Sequence, residues 1–477
     1  MKWGLFSLSL VVLLVVAVIV NGFHSGTTVD QIVSGINVDN GDTKINWERY
    51  NNYNVELSET YTITGSGVYH LTGSIADGAV IVNTNSEGVV KLILDNVSIK
   101  NSNGPAIACY AADDLVIELV GENVLEDGVK YSNVFDEDVK GAIYSKADLT
   151  FQGDGVLKLT ANYQDGIVSK DDLKFVAGTY YITAFDDAIR GKDSVYIVDG
   201  DFVITARGDG IKSTNDTTSG KGFVLIENGS IELSVGDDGI HAERSLIVNN
   251  GNINIVKSYE GLEAQNILIQ DGDIKIYASD DGINAGGGSD ATSENSRGGG
   301  AFDSDANCVL TIEGGSVYIN ASGDGVDSNG YIHFNGGSIV VDGPTNNGNG
   351  ALDSGISINQ TGGTVIAVGS SGMAETLGES SSIYNISVFF ETSQKAETKI
   401  TIKDSSGKTL IRHIAAKAFN HLAAGTELFE LGETYTIYLD GEKYQSFTIS
   451  SVTTTIGNNG GAMQPGMMMG PGGRQGF

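Results

Sequence analysis

The sequence predicts an all-β protein that folds as a right-handed parallel β-helix with a small C-terminal β cap. A short motif, apolar-x-x-Gly-x-apolar-x-apolar, recurs from Phe151 to Ala367. The glycines of successive motifs stand mostly about 22 residues apart, as Gly178 and Gly200 do. Glycine is abundant, with 65 residues, whereas proline is scarce, with 4. These features indicate stacked short strands joined by tight turns.

Each motif predicts two strands that meet at a corner. Apolar residues alternate on both sides of the glycine, as at Phe175, Gly178, Tyr180 and Ile182. A period of two is typical of β-strands. Glycine suits the corner because it adopts positive φ without a steric penalty.

A third segment completes the repeat with an acidic corner. Its members are Asp165-Gly-Ile, Asp187-Ala-Ile, Asp209-Gly-Ile, Asp238-Gly-Ile, Glu260-Gly-Leu, Asp281-Gly-Ile and Asp324-Gly-Val. Three short strands cannot bury their apolar faces alone, so successive repeats must stack into a parallel β-helix. We therefore expect the residues that follow the corners to form one buried column: Ile189, Ile211, Ile240, Leu262 and Ile283.

Composition changes along the chain predict five segments. Residues 1–23 are predicted to be a signal peptide or signal-anchor, because Lys2 precedes an almost uninterrupted apolar run. Residues 24–53 are a linker, 54–369 the β-helix, 370–456 the β cap, and 457–477 a disordered Gly/Met-rich tail. The predicted location is therefore secreted or at the cell surface.

The formal net charge of −32 limits the partners. Nucleic acids and anionic lipids are excluded because both require Lys and Arg, so membrane contact is expected only through the N-terminal segment if it is uncleaved. Metal cations are favoured, and the oligomeric state stays open. Cys109 and Cys308 lie many repeats apart, which excludes a disulfide between them. Cys308 has the same place in the alternation as Leu310 and Ile312, so it is predicted to be buried.

Acids stack at matching positions of successive repeats. The residue after each corner apolar residue gives the predicted outward column Val168, Arg190, Lys212, His241, Glu263, Asn284, Asp303, Asp327 and Asp353. Stacked carboxylates repel one another unless they are neutralised, and hard oxygen ligands suit Ca²⁺. The predicted Ca²⁺ ligands are Asp186, Asp187, Asp209, Asp237, Asp238, Asp280, Asp281, Asp303, Asp324, Asp327 and Asp353.

Two other interpretations compete for these residues. Aspartates at turns commonly accept hydrogen bonds from backbone N–H groups as Asx-turns, without any metal. Arg190 and Lys212 can neutralise their part of the column, whereas no base matches the column near Asp327. His241 is expected to be solvated and paired with acids rather than catalytic.

The block from Ser279 to Gly330 resembles the carbohydrate-binding domain-containing β-helix proteins. The resemblance rests on Asp281-Gly-Ile-Asn-Ala, a glycine-rich loop, Gly300-Ala-Phe and the stretch 321–330, and it extends over about Asn54 to Gly457. The group includes a clostridial cellulose- and pectin-binding protein. The resemblance implies that the predicted β-helix, residues 54–369, is a carbohydrate-binding domain. It also implies a fold like that of calcium-dependent pectate lyases, bound calcium, and polysaccharide binding without demonstrated cleavage.

Three functions follow from these observations. The preferred one is noncatalytic binding of cellulose or of an acidic plant-wall polysaccharide such as polygalacturonate, with Tyr259, Glu263, Tyr277 and Asn284 as ligand contacts. The alternative is a calcium-dependent pectate lyase, which requires a Lys or Arg base; Lys212 is the best candidate and Arg190 the next. A structural cell-surface adhesin is the third.

Overall fold

The computed structural model describes residues 36, 44–85, 87–132, 138–286 and 304–458. Within them the regular structure is all-β apart from a 3-10 turn at Trp47–Arg49. No helix of membrane-spanning length and hydropathy occurs in this part of the chain. The predicted export segment, most of the glycine-rich loop with Asp303, and residues 459–477 of the predicted tail lie outside the described residues.

The strands form three faces, and each coil of the chain contributes a strand to each face. The first face, which holds the acidic corners, contains β2 (Tyr61–Ile63), β4 (Val80–Asn83), β7 (Ile107–Ala111), β10 (Gly141–Ser145), β13 (Asp165–Ser169), β16 (Ile189–Gly191), β19 (Ile211–Ser213), the start of β22 (Ile240–Val248), the start of β24 (Leu262–Ile269), β26 (Ile283–Ala285), β29 (Val326–Ser328) and β32 (Leu352–Ser354). The second face contains β1 (Asn52–Leu57), β3 (Gly67–Ile75), β5 (Val90–Asp95), β8 (Asp114–Val120), β11 (Asp148–Gln152), β14 (Asp172–Phe175), β17 (Ser194–Ile197), β20 (Phe223–Ile226), the ends of β22 and β24, β27 (Val309–Ile312), β30 (Tyr331–Phe334) and β33 (Ser357–Gln360). The third face contains the end of β3, β6 (Ser98–Lys100), β9 (Glu122–Glu126), β12 (Val156–Ala161), β15 (Thr179–Ala184), β18 (Asp201–Thr205), β21 (Ser230–Ser234), β23 (Asn252–Ser258), β25 (Asp273–Ala278), β28 (Ser316–Ala321), β31 (Ser338–Asp342) and β34 (Thr364–Gly369).

Each strand pairs in parallel with the equivalent strand of the next coil. On the first face Ile167 pairs with Ile189, and Ile189 with Ile211. The same order holds on the third face, where Tyr180 pairs with Phe202. This large, mostly parallel sheet is consistent with a parallel β-helix; the right-handed sense of the coil stays a prediction.

The inside of the coils is apolar, as the period-two pattern predicts. The expected column of Ile189, Ile211, Ile240, Leu262 and Ile283 is confirmed, because each of these side chains is fully buried. Cys308 is buried as predicted, and both cysteines are free.

The corner glycines of the motif adopt positive φ, as predicted. Gly251 has φ +124°, and a Cβ built on it would lie 3.0 Å from the carbonyl oxygen of Gly229 one coil earlier. Glycine therefore meets two demands at this corner, an unusual backbone conformation and close packing of coils.

Strands with mostly antiparallel pairing follow the last coil. They are β35 (Asn385–Gln394), β36 (Lys399–Lys403), β37 (Thr409–Ile414), β38 (Phe419–Thr426), β39 (Thr434–Leu439), β40 (Glu442–Thr448) and β41 (Thr453–Ile456). Strand β38 pairs antiparallel with β34, and β37, β36, β39 and β40 form a separate four-stranded sheet in that order. These strands enclose their own apolar cluster around Ile400 and Ile437.

Candidate functional site: the acidic ladder

The corner acids of the first face form a ladder along the protein. The Oδ1 atom of Asp187 accepts a hydrogen bond from the backbone N–H of Asp209 at 3.0 Å, and Asp209 accepts one from Asp238 at 2.9 Å. Asp281 accepts one from Asp324 at 2.6 Å. These aspartates thus accept hydrogen bonds from backbone N–H groups, as the Asx-turn interpretation predicts. The N–H groups, however, belong to the next coil rather than to the same turn. One oxygen of each of these acids accepts a backbone hydrogen bond, which leaves the other oxygen to interact with a cation.

The outward column lies beside this ladder in nearly the predicted order. The pairs are Val168 with Arg190, Arg190 with Lys212, Lys212 with His241, His241 with Glu263, Glu263 with Asn284, Asn284 with Asp327, and Asp327 with Asp353. The predicted place of Asp303 in the column is wrong, because Asn284 pairs directly with Asp327 and no position exists between them. Asp303 itself lies outside the described residues.

In the first half of the ladder, basic side chains neutralise the acids. The Lys212 Nζ lies 2.6 Å from Asp209 Oδ2, and the Lys212 side chain is 13% exposed. The Arg190 Nη1 lies 3.4 Å from Asp165 Oδ2 and 3.8 Å from Asp187 Oδ2. Both candidates for the base of a lyase, Lys212 and Arg190, are therefore engaged in ion pairs.

His241 continues this neutralised half as a buried cation. Its Nδ1 lies 2.5 Å from Glu263 Oε2 and 3.3 Å from Asp238 Oδ2, and its Nε2 lies 3.8 Å from Glu243 Oε1. Burial alone would lower the pKa of His241, but hydrogen bonds to Asp238, Glu243 and Glu263 raise it to about 12. The predicted pairing with acids is confirmed. The predicted solvation is wrong, since the side chain is fully buried.

Glu263, one of the predicted sugar contacts, is buried beside His241. Its side chain is 9% exposed and its carboxylate faces His241. The sugar contact at Glu263 stays a prediction. Asn284, the next residue of the column, pairs with Asp327 on the following coil.

The second half of the ladder, which we call the acidic end, consists of Asp281, Asp324, Asp327, Asp353 and Glu375. Burial, followed by repulsion from neighbouring acids, raises the pKa of Asp281 and Asp324 to about 7 and that of Glu375 to about 8. The pKa of Asp327 lies well above its ordinary value, owing to burial and then to Asp353, Asp281 and Asp324. No Lys, Arg or His among the described residues forms an ion pair with these five acids.

The acidic end offers oxygen donors that suit Ca²⁺. Beside its carboxylates, the amide oxygen Oδ1 of Asn284 is buried and accepts no hydrogen bond from the described residues. The other end of that amide, Nδ2, donates to Glu260 Oε2 at 3.0 Å, which fixes the orientation of the oxygen. Carboxylate and amide oxygens are the ligands that Ca²⁺ prefers. These donors are of the chemical type that Ca²⁺ binds, although the acidic end is not among the groups of described residues whose ligand atoms lie within 4.8 Å of one another.

Gly323 leaves room for two of the predicted ligands. A Cβ built on this residue would lie 2.3 Å from Oδ1 of Asp280 and 2.3 Å from Oδ1 of Asp281. The acids of one coil thus occupy the space in front of the glycine of the next coil. Gly208 has the same relation to Asp186 and Asp187.

The remaining predicted ligand, Asp237, lies in the neutralised half. Oxygens of Asp209, Asp237 and Asp238 lie within 4.8 Å of one another. Lys212 is ion-paired with Asp209 in this same group. The Lys212 ammonium group thus supplies positive charge to this group of acids. At the acidic end no basic side chain among the described residues does so.

Sequence reasoning missed Glu375 and a second group of acids. Glu375 follows β34, the last strand of the coils, and lies outside the repeat, so no sequence pattern indicated it. Asp148, Asp171 and Asp172 place oxygens within 4.8 Å of one another at the start of second-face strands. Lys221 lies 2.9 Å from Asp172, so this group has its own counterion.

Exposed aromatic side chains border the ladder. Tyr259, which directly precedes the corner acid Glu260, is 43% exposed, and Tyr277 is 44% exposed. Phe185, which sequence reasoning did not single out, precedes Asp186 and is 48% exposed; the Arg207 guanidinium lies 4.5 Å from its ring centroid. Rings at these places can stack on the apolar faces of sugars.

Comparison with known proteins identifies the family of this chain. The chain belongs to the carbohydrate-binding domain-containing protein family, whose sequence profile matches residues 58–299. A carbohydrate-binding domain-containing protein from Acetivibrio thermocellus is 33% identical over 164 residues, which cover 34% of this chain and 56% of the relative. The match thus spans little more than half the length of that relative.

A solved structure is also similar over part of the chain. It is described as a polysaccharide lyase-like protein from C. thermocellum in a gadolinium derivative. The two chains share 30% sequence identity with a TM-score of 0.41, over 48% of this chain and 94% of the other.

Proposed function

We propose that the protein is an exported, noncatalytic polysaccharide-binding protein that holds Ca²⁺ at the acidic end of the ladder. Its ligand is cellulose or an acidic plant-wall polysaccharide such as polygalacturonate. Membership of a carbohydrate-binding family supports the class of ligand. The observation that carries the role of the cation is the set of five acids without a basic partner among the described residues.

Charge explains why a cation is needed for an acidic ligand. A chain with a net charge of −32 repels a polyuronate. A divalent cation held by Asp327 and its neighbours reduces this repulsion and can share its remaining coordination positions with uronate carboxylates. Exposed rings beside the ladder, such as Tyr259 and Phe185, add apolar contact with the sugar faces.

The geometry of the bases favours binding over cleavage. A lyase abstracts the proton α to a carboxylate, so its base must be a free amine near the working pH. The Lys212 nitrogen instead lies 2.6 Å from a carboxylate oxygen, and Arg190 is shared between two acids. These contacts neutralise the ladder, which accounts for both residues without a reaction.

A binding assay with the full chain tests the proposal. Wild type and the double variant Asp327→Asn/Asp353→Asn are mixed with polygalacturonate in millimolar Ca²⁺ or in chelator, and in parallel with insoluble cellulose. We expect wild type to bind polygalacturonate at least about tenfold more tightly with Ca²⁺, since one decade corresponds to about 1.4 kcal/mol. The double variant should lose this difference.

A matched control separates the site from net charge. The double variant Asp154→Asn/Asp201→Asn removes two exposed acids distant in register from the acidic end. It should keep the response to Ca²⁺. Equal binding by both double variants would reject the acidic end as the cation site, and absence of binding to either polysaccharide by wild type would reject the proposed function.

A further inference from the structure

The second face carries an apolar column on its outer side. In β20 the core residues are Val224 and Ile226, so Leu225 between them points outward. Leu225 pairs with Ile247, and Ile247 with Leu268, at the same outward position of the next two coils. The three side chains are nevertheless 8%, 2% and 0% exposed.

Outward burial is not a general property of this fold. On the third face the outward residues Tyr181 and Val203 are 46% and 43% exposed, as expected for a sheet with one side in solvent. Strand β18 alternates between exposed and buried residues, whereas all four residues of β20 are buried. Something therefore covers the outer side of the second face.

The covering group at one point is Ile36. This residue packs against the cluster of Phe223, Leu225, Ile247 and Leu268. It is far from these strands in sequence and precedes the first coil. Ile36 thus contacts coils that form more than 180 residues later in the chain.

Trp47, which precedes the first coil, lies on the same outward column. The Lys91 Nζ lies 4.8 Å from the ring centroid of Trp47, and Lys91 is the outward residue of β5. The column then runs from Lys91 through Val116, Thr150, Lys174 and Tyr196 to Leu225 and Ile247. Val116, Thr150 and Lys174 are also buried although they point outward.

Chain length agrees with a lengthwise path. Six strand spacings separate Lys91 from Ile247, or about 29 Å at about 4.8 Å each. Eleven residues separate Trp47 from Ile36, and an extended chain of that length spans about 36 Å. The length of chain between Trp47 and Ile36 is therefore sufficient to reach the cluster.

We propose that residues 24–46 bind lengthwise along the outer side of the second face as an intramolecular strap, with Ile36 seated on the apolar cluster of Phe223, Leu225, Ile247 and Leu268. The strap covers apolar surface that would otherwise be exposed on an exported protein. It also assigns the second face to the protein's own chain, which leaves the ladder on the first face free for ligands. The proposal does not depend on the identity of the polysaccharide.

Crosslinking within the full chain tests the path of the strap. The variant Ile36→Cys/Ile247→Cys is treated with a short bismaleimide, and the variant Ile36→Cys/Val203→Cys is the control, because Val203 is exposed on the third face. The native cysteines are buried and should not react in the folded protein. We expect intramolecular crosslinking of the first pair at several times the yield of the control; equal yields would overturn the proposal.

Removal of the strap provides a second test. A chain that lacks residues 24–43 should bind a hydrophobic dye and should capture a synthetic peptide of residues 24–46, whereas the full chain should do neither. Ile247→Asp in the shortened chain should abolish capture, and Val203→Asp should not. A shortened chain that stays folded, binds no dye and captures no peptide would refute the strap.

Discussion

Replacing Asp327 by Asn is expected to raise stability without metal and to reduce the stabilisation by Ca²⁺. Asp327 interacts with Asp353, Asp281 and Asp324, and together with burial these acids raise its pKa. Asn has nearly the same shape and no charge. The substitution therefore removes one repelling group and one ligand at once.

The magnitude follows from the pKa shifts at the acidic end. Burial raises the pKa of the neighbouring Asp324 from 3.8 to about 7. A rise of about 3 units corresponds to an upper limit of about 4 kcal/mol at high pH, since one unit is about 1.4 kcal/mol. Partial exposure and the sharing of repulsion among five acids reduce this figure, so we expect Asp327→Asn to raise the free energy of unfolding by about 1–2 kcal/mol at pH 8.

The sign of the pH dependence follows from proton uptake. An acid whose pKa is higher in the folded state binds more protons there than in the unfolded chain, so stability falls as pH rises between the two pKa values. For Asp281 and Asp324 this window runs from 3.8 to about 7. Their contribution therefore makes metal-free wild type lose stability from pH 5 to pH 8. Ca²⁺ binds the deprotonated acids and should reduce or reverse this loss.

Denaturant unfolding at pH 5 and pH 8, in chelator and in millimolar Ca²⁺, measures these effects. Asp201→Asn is the control, because Asp201 is exposed on the third face. In wild type at pH 8, Ca²⁺ at 100 times its dissociation constant should add about 2.7 kcal/mol. The reasoning would be refuted if Asp327→Asn destabilised the metal-free protein by more than the control, or if it responded to Ca²⁺ as wild type does.

Three further substitutions test other parts of the ladder. His241→Ala should destabilise the protein by about 3–5 kcal/mol in denaturant unfolding, because it leaves Asp238 and Glu263 buried without a cation; a loss below 1 kcal/mol would contradict the buried ion pair. Gly323→Ala should lower the Ca²⁺-induced rise in melting temperature, since its Cβ would displace the carboxylates of Asp280 and Asp281; an unchanged rise would exclude these acids as ligands. Wild type and Lys212→Ala should both release no unsaturated uronate from polygalacturonate with Ca²⁺, measured by ultraviolet absorbance; steady product formation that disappears in the variant would identify Lys212 as a lyase base.

Local periodicity explains which parts of the structure could be predicted. The inward column of Ile189, Ile211 and Ile240 repeats one alternation in every coil, and a single slip of register would expose all of it. The corner acids share that register, so their stacking follows from it. For these residues a short window of sequence contains the physical cause of their position.

The errors arise where position depends on distant chain. Asp303 follows a glycine-rich stretch whose length hides the number of coils, so its register could not be counted. The alternation of residues along the strand predicts that His241 points outward. Its side chain is nevertheless buried beside Glu243 and Glu263, because alternation does not show what covers an outward side chain. The continuous apolar run Phe223–Ile226 did carry a signal, because a strand without alternation is buried on both sides.

The acidic end differs from the rest of the ladder in a way that the backbone does not require. The hydrogen bond between coils needs only an oxygen acceptor, and elsewhere asparagine provides it: Asn123 Oδ1 accepts from Val97 N–H, and Asn96 Oδ1 from Glu122 N–H. Asparagine at 281 or 324 would make the same bond without repulsion. Aspartate at these positions instead costs stability in the absence of a cation, because no base among the described residues offsets its charge. The charge, rather than the hydrogen bond, is therefore what distinguishes the acidic end, and the proposed Ca²⁺ would offset that charge.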